Sequence, residues 1–257
     1  MSGDAKWGDL PARILSAVIM LAVGVEGLWL GGLWFHGLVA LICAGMIWEL
    51  TRIMGTKAAS DGIWLGALCG VIIFFSHLIP PFFLLPVLIA PALTGASRLS
   101  KDHAIFVAYA AGLMVACYGL VKLRDFNGLP SVAWLVLVVI ATDIAGYFAG
   151  RTFGGPKFWP SISPKKTWSG TSAGWVAAAV VGLAFGGWKL MLISVLTSFA
   201  SQMGDIAESA IKRRYGVKDS SHLIPGHGGL LDRFDAMMGA ALFVMILSLV
   251  IALPQAG

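Results

Sequence analysis

Charged residues are scarce in this sequence. Only 12% of its 257 residues are Asp, Glu, Lys or Arg, whereas 58% are hydrophobic; a soluble domain ordinarily carries about 25% charged residues. The composition therefore excludes an ordinary soluble protein. Apolar runs of about 20 residues, the length that crosses a bilayer, recur along the chain. Because these runs lack the strict alternation of barrel strands, they predict an all-α, polytopic integral membrane protein.

Cysteine and histidine are also few. The three cysteines, Cys43, Cys69 and Cys117, lie inside apolar runs without metal-ligand spacing, as is typical of helix packing. His222 and His227 have no Cys or third His beside them, which disfavours a zinc site. No soluble domain, repeat, low-complexity segment or small-residue cleavage site is recognisable. The formal charge of +5 fits anionic lipid or a phosphorylated substrate, and we expect no nucleic-acid partner.

The apolar runs predict nine membrane spans with the N-terminus in the cytoplasm. This orientation leaves only three basic residues outside, Lys122, Arg124 and Lys189, of the 18 in the chain, as the positive-inside rule requires. We expect a single membrane domain over 1–257, with N-terminal spans within 11–122 and a catalytic region within 131–254. Cytoplasmic loops are expected at about 151–170 and 212–234. The predicted spans are 11–29, 31–51, 62–78, 80–97, 103–122, 131–150, 171–187, 189–211 and 235–254.

The eighth span carries a polar stripe at three- and four-residue steps, which places its members on one helical face. A carboxylate at membrane depth is costly unless it is paired, metal-bound or hydrated. The serines and Gln202 also fit interhelical hydrogen bonding, and Glu208 with Lys212 fits a surface ion pair at the helix end. Asp205 is the strongest functional candidate of the stripe. The stripe comprises Ser198, Ser201, Gln202, Asp205, Glu208, Ser209 and Lys212.

A charged interval follows this span. Lys212, Arg213 and Arg214 fit membrane-boundary anchors, but a PGHGG turn comes next, and glycines let backbone N–H groups approach a phosphate closely. Asp232 and Asp235 then stand three residues apart at the start of the ninth span, where helix capping is the simpler interpretation of either alone. Together with Asp205 and the basic cluster they predict a site for divalent metal and phosphate.

A second polar region surrounds the end of the sixth span. Asp143 shares a helical face with Tyr147 and Arg151 at four-residue steps. The following loop carries Lys165 and Lys166 directly after a Ser-Pro pair, which favours a defined turn. Adjacent lysines at a membrane surface also simply bind anionic lipid. Because the topology puts this loop on the same side as 212–234, both regions are expected to converge on one cytoplasm-facing cavity.

The run from Ser209 to Asp235 closely resembles the signature of the phosphatidate cytidylyltransferases, also called CDP-diacylglycerol synthases. It matches S-x-x-K-R, then K-D, then P-x-H-G-G-x-x-D-R-x-D, with every element in place. The segment from Asp143 through S-P-K-K-T-W resembles the other cytoplasmic motif of that family. The resemblance covers roughly the C-terminal half, whereas the N-terminal spans are similar only in hydrophobic layout.

The resemblance implies Mg²⁺-dependent transfer of the cytidylyl group from CTP to phosphatidate, which gives CDP-diacylglycerol and diphosphate. The lipid phosphate is already ionised, so electrostatics and positioning can carry the reaction without a strong base. A bacterial inner membrane, with the site facing the cytoplasm, and a homodimer are further expectations. The catalytic candidates are Asp205, Asp232, Asp235 and Lys166, and the metal candidates are Asp205, Asp232 and Asp143. The substrate-binding candidates are Ser163, Lys165, Lys166, Lys212, Arg213, His227, Gly228, Gly229 and Arg233.

Two departures and two alternatives accompany the resemblance. Ser169 stands where the family typically has Glu, and D-I-A-G-Y replaces the usual D-T-G-A-Y, which we interpret as a packing change. One alternative is a CTP-dependent kinase of a lipid alcohol, which would use the γ-phosphate of CTP. The other is an ion-coupled transporter with Asp143 and Asp205 at broken helices, although no inverted repeat is visible.

Overall fold

The computed structural model describes residues 10–253, with side chains from Arg13 onward. Its described part is dominated by helices, which confirms the predicted all-α class. The two β-strands within residues 10–253 form an antiparallel hairpin in which Lys157 pairs with Thr167 and Trp159 with Ser163; only a loop was expected there. The elements are α1 Leu10–Leu30, α2 Gly32–Met54, α3 Ala59–Phe74, a 3₁₀ turn Ser76–Leu78, α4 Pro81–Ala96, α5 His103–Phe153, β1 Lys157–Trp159, β2 Ser163–Thr167, α6 Trp168–Arg214 and α7 Leu231–Leu247.

The two longest helices are broken at glycines. α5 has 51 residues and a non-helical backbone at Gly128 (φ 79°), and α6 has 47 residues and a break at Gly186 and Gly187. A straight helix of that length would extend about 75 Å, far more than the ~30 Å hydrocarbon core. When each arm is counted separately, residues 10–253 form nine α-helical segments.

Length and composition identify this chain as an integral membrane protein. Within the described residues, four helices are long and apolar enough to cross a membrane, namely α1 from Arg13, α2, α5 and α6, whereas α3 and α4 are shorter apolar helices. The ninth predicted span, 235–254, is shifted. α7 occupies Leu231–Leu247, and the N–H of its first residue donates to the buried carboxylate of Glu49 on α2 at 2.7 Å.

Both long helices fold back, which brings their ends to one side. Asp102, directly before α5, accepts two hydrogen bonds from Arg214 at the end of α6, at 2.7 and 2.9 Å. Near the other end of α5, Asp143 lines a cavity with Lys166, whose Nζ is 2.6 Å from Asp205 Oδ2. Both ends of α5 therefore lie beside the C-terminal arm of α6.

Glycines allow the C-terminal helices to pack with their backbones almost in contact. A Cβ placed on Gly239 of α7 would lie 2.8 Å from Cα of Gly204 on α6. A Cβ on Gly170 would lie 2.5 Å from the carbonyl oxygen of Gly146 on α5. Small residues at such crossings are a common basis of helix association in membranes. Because Gly204 precedes Asp205, the first crossing sets the position of the acidic residues described below.

Candidate active site

An acidic cluster lies where α6 crosses α7. Asp205 and Glu208 come from α6 and Asp235 from α7, and one carboxylate oxygen of each lies within 4.8 Å of the others. Glu208 is 1% exposed, and its Oε1 accepts no hydrogen bond within the described part of the chain. An orphaned buried carboxylate oxygen beside two other carboxylates is what a site for a hard divalent cation offers.

Two lysines partly neutralise this cluster. Lys166 Nζ lies 2.6 Å from Asp205 Oδ2 and also donates to the carbonyl oxygen of Gln202 at 3.3 Å. Lys212 Nζ lies 2.5 Å from Glu208 Oε2 and 2.6 Å from Asp232 Oδ1. Within the described part of the chain, Lys166 and Lys212 are the lysines that pair with the acidic residues Asp205, Glu208 and Asp232. Because Asp235 adds a further carboxylate, the region keeps an excess of negative charge, which favours a bound cation.

The Glu208–Lys212 pair differs from its sequence interpretation. A surface ion pair was one interpretation of the sequence, yet the Glu208 side chain is 1% exposed and that of Lys212 is 13% exposed. The surface interpretation is therefore wrong. Breaking such a buried pair leaves an uncompensated charge, which is strongly destabilising. The three- and four-residue spacing predicted that both side chains lie on the polar face of the helix, but spacing does not show whether a side chain is buried.

Asp232 organises the glycine loop, which we define as residues 215–230. Its Oδ2 accepts hydrogen bonds from Ser220 N at 2.9 Å, Ser220 Oγ at 2.9 Å and Gly229 N at 2.8 Å. Gly228 has φ +87°, and a Cβ there would lie 2.7 Å from the same oxygen. The PGHGG glycines therefore let the loop close around a carboxylate of the protein itself.

Glu49 was not a candidate in the sequence analysis. It is fully buried near the end of α2, and its carboxylate accepts from the hydroxyls of Ser220 (2.9 Å) and Ser221 (2.6 Å). It also accepts from the backbone N–H groups of Leu230 (3.0 Å) and Leu231 (2.7 Å). One carboxylate thus fixes both ends of the segment that contains the PGHGG turn. The signal available in the sequence was a single acidic residue inside an apolar run.

His227 and Arg233 tie the turn to its surroundings. His227 Nδ1 lies 2.8 Å from Ser16 Oγ of α1, and the same hydroxyl donates to the carbonyl oxygen of Pro225 at 3.1 Å. Arg233 donates through Nε and Nη2 to the carbonyl oxygen of His227, at 2.8 and 2.5 Å. The N-terminal helix therefore contributes to the architecture of this region, although the sequence resemblance rested on the C-terminal half.

A polar cavity of about 360 Å³ adjoins the acidic cluster on the side of α5. Asp143, Arg151, Lys165 and Lys166 line it, so both cationic and anionic groups face the space. Arg151 Nη1 donates to the hydroxyl of Tyr147 at 2.8 Å, so these two residues lie on the same helical face, as predicted. The lysines come from β2 of the hairpin connection, which we define as residues 154–167.

The remaining predicted residues lie around these features. Ser163 begins β2 opposite Trp159, whereas Arg213 is exposed at the end of α6. Asp205 and Asp235 are in one cluster, and Asp232 is joined to it through Lys212. Asp143 lies on the far side of Lys166, in the polar cavity.

Two other polar side chains of the stripe, Ser198 and Gln202, pack helices together, as the alternative interpretation held. Thr142 Oγ1 donates to Ser198 Oγ at 2.8 Å. Gln202 accepts from Trp175 Nε1 at 3.1 Å and donates to the carbonyl oxygen of Thr171 at 3.2 Å. These bonds join the two arms of α6 to each other and to α5, and they satisfy groups that lipid cannot solvate.

Ser169 has a structural role at the position where an acidic residue was expected. Its hydroxyl donates a short hydrogen bond to the carbonyl oxygen of Gly154 and lies 3.0 Å from Thr167 Oγ1. Thr167 in turn caps α6 by accepting from Gly170 N at 3.2 Å. Ser169 therefore closes the hairpin connection and adds no charge to the cavity.

The fold and the site together define a class: a membrane enzyme whose helices present acidic and basic side chains at one end. The sequence matches the profile of the cytidylyltransferase family over residues 11–251, and the chain belongs to this family. Among similar proteins is the phosphatidate cytidylyltransferase of Brucella suis biovar 1 (strain 1330), 34% identical over 268 aligned positions that cover 96% of both chains. The phosphatidate cytidylyltransferase of Bacillus subtilis (strain 168) is 31% identical over 264 positions, covering 92% of this chain and 95% of the relative.

Proposed function

We propose that this protein transfers the cytidylyl group of CTP to phosphatidate, in phospholipid biosynthesis. A phosphate oxygen of phosphatidate attacks the α-phosphorus of CTP, and the bond from that phosphorus to the oxygen bridging to the β-phosphate breaks. CDP-diacylglycerol forms and diphosphate leaves. The observation that carries the proposal is the acidic cluster of Asp205, Glu208 and Asp235 with Lys166 and Lys212 bound to its edges, in a chain of this family.

Mg²⁺ is the proposed cofactor. The carboxylates of Asp205, Glu208 and Asp235 would hold it, and their close approach and the unpaired Glu208 oxygen support the fit. Asp232 and Asp143, predicted as metal ligands, stand at the two margins of the cluster. When bound, the ion would stabilise negative charge that develops on the phosphates during transfer.

The residues of the chain would position the two phosphate-bearing substrates. Lys165 and Lys166 face the polar cavity, so they are proposed to bind the triphosphate of CTP, with Ser163 beside them. Lys212, Arg213, Arg233 and the Gly228–Gly229 segment would complete the phosphate environment, with His227 as a further contact. Since phosphatidate is ionised at neutral pH, orientation and charge stabilisation suffice, and no general base is required.

The membrane arrangement is part of the proposal. Nine spans with a cytoplasmic N-terminus would put the site on the cytoplasmic side of a bacterial inner membrane. The basic residues assigned to the other side support this, since Arg124 binds the carbonyl oxygen of Leu28 at the far end of α1 and Lys189 follows the Gly186–Gly187 break. A homodimer is proposed from family resemblance.

The test uses purified protein, phosphatidate and CTP labelled at the α-phosphorus, with Mg²⁺ or with EDTA. We expect label in the lipid product only with Mg²⁺, and we expect Asp205→Ala to abolish it. Lys166→Met should lower kcat/KM by about 100-fold, the order expected for loss of one electrostatic contact to the reacting group. Lys189→Met removes an exposed lysine beyond the α6 break and serves as the matched control. Transfer from γ-labelled CTP instead would show a lipid-alcohol kinase, and no transfer by folded protein would refute the proposal.

A further inference from the structure

A second cavity meets the acidic cluster from the membrane side. It has a volume of about 520 Å³ and lies between the N-terminal arm of α5, the C-terminal arm of α6 and α7. Asp235 lies at one end, and nearly all other wall residues are apolar or glycine. We call this cavity the apolar groove. It shares Asp235 with the site, whereas the polar cavity is lined by Asp143 and Lys166.

The length of the apolar groove matches one bilayer leaflet. Its α7 wall runs from Asp235 to Ile246 and its α6 wall from Ala207 back to Leu196. Eleven helical residues rise about 16 Å, and half of the hydrocarbon core is about 15 Å. A chain that entered at the level of the carboxylates would therefore reach the bilayer midplane.

The apolar groove is open toward lipid. Leu196, Phe199 and Ile246 on its walls are all more than 40% exposed. Gly112 of α5 has no side chain to narrow the groove, and a Cβ there would have Leu242 Cδ2 as its nearest neighbour at 3.6 Å. A lipid could thus enter sideways from the leaflet, with its headgroup remaining at the charged end.

We propose that the apolar groove holds an acyl chain of the phosphatidate substrate and that Gly112 sets how much of that chain fits. This inference rests on the proposed function for the identity of the lipid. It divides the site between its substrates: the nucleotide occupies the polar cavity and the lipid tail the apolar groove, with the acidic cluster between them. Chain selectivity then resides on α5 and α7, remote from the reacting phosphates.

The first experiment compares Gly112→Leu with the wild type on dioleoyl and dihexanoyl phosphatidate at saturating CTP. A leucine side chain at Gly112 would occupy the middle of the groove. We expect kcat/KM for the dioleoyl substrate to fall at least tenfold, about the loss of two buried methylenes, and that for the dihexanoyl substrate to change less than twofold. Gly37→Leu is the control, because Gly37 lies on α2 outside the groove and its nearest neighbour is at a similar distance, 3.8 Å.

Equal losses on both substrates, or no loss on either, would overturn the assignment. A second measurement needs no turnover: phosphatidate with a diazirine at the end of one acyl chain is photolysed in the wild type and the labelled peptides are identified. We expect label near Leu196 and Ile246 at the deep end of the groove. Label confined to the other large apolar cavity, which includes Phe35 and Val136, would refute the proposal. A wild type that labels in the groove but transfers no cytidylyl group would refute only the proposed function.

Discussion

The two connections that carry the basic residues of the site are held in different ways. The hairpin connection (154–167) satisfies much of its backbone by its own β pairing and is attached at its ends, through the Ser169–Gly154 bond and the pairing of Lys166 with Asp205. The glycine loop (215–230) has a single isolated β-bridge, between Ile224 and Gly228. It is attached to the helices chiefly through two carboxylates, Glu49 and Asp232, which accept its N–H and hydroxyl groups. The position of the glycine loop is therefore coupled to helix packing, whereas the hairpin connection is largely self-sufficient.

Removing Glu49 should produce the largest effect. In Glu49→Ala three donors lose their acceptor, namely the Ser221 hydroxyl and the N–H groups of Leu230 and Leu231, whereas the Ser220 hydroxyl keeps Asp232; each unsatisfied group costs about 1–3 kcal/mol. We expect kcat/KM to fall more than 100-fold and the melting temperature to drop, with Glu49→Gln in between because it keeps one acceptor oxygen. Glu26→Ala is the matched control, since Glu26 is an exposed helical carboxylate on α1. An active, stable Glu49→Ala protein would show that the glycine loop does not depend on this carboxylate.

A pair of glycine substitutions compares the two connections directly. In Gly229→Ala the new Cβ would collide with Ser220 Oγ and the Glu49 carboxylate; overpacking of this kind costs about 1–3 kcal/mol, and we expect roughly a tenfold loss of activity. In Gly155→Ala the backbone is strained by φ +100°, but nothing lies within 4 Å. That variant should lose about 1 kcal/mol of stability and keep its activity within twofold. The comparison fails if activity falls equally in both variants.

Ser169 tests the end of the hairpin connection. Ser169→Ala removes the hydrogen bond to the Gly154 carbonyl oxygen, which is worth about 1 kcal/mol. We expect a small fall in melting temperature and an increase in KM for CTP of a few fold, because Lys165 and Lys166 lie on this segment. Ser172→Ala is the control, as its hydroxyl also donates to a carbonyl oxygen, that of Trp168, but within α6. A change in phosphatidate KM alone would contradict the assignment of this connection to the nucleotide.

The smallest effect is expected at Asp102, in the α4–α5 connection outside the site. The Arg214 guanidinium and the Tyr215 hydroxyl lower the pKa of this carboxyl from 3.8 to about 2. A depressed pKa stabilises the fold above the unfolded value and loses that contribution as pH falls from about 4 toward 2. Asp102→Asn keeps a residue that tolerates φ +60° and should flatten the stability profile in that window only. An unchanged acid limb of the unfolding curve would show that the pair contributes nothing.

Much of the fold could be predicted from hydropathy, because bilayer thickness fixes the length of each apolar run. Gly186 and Gly187 end the seventh predicted span, 171–187, and the structure breaks α6 there. The role of Glu49 could not be predicted, since its partner Ser220 is 171 residues away in sequence and no local sequence pattern indicates this contact. The β hairpin was missed for a similar reason: Lys157 to Thr167 is polar and proline-interrupted, and its pairing depends on how α5 ends and α6 begins.

The glycine breaks of α5 and α6 also bear on how the chain is made. Each long helix reverses at one or two glycines instead of a long polar loop, so few charged residues lie near the tips: Lys122, Arg124 and Asp125 before Gly128, and Lys189 after Gly187. Under the proposed orientation, very little polar chain must be moved across the bilayer as these arms insert. The charged segments, including both connections of the site, would remain on the side of synthesis throughout biogenesis.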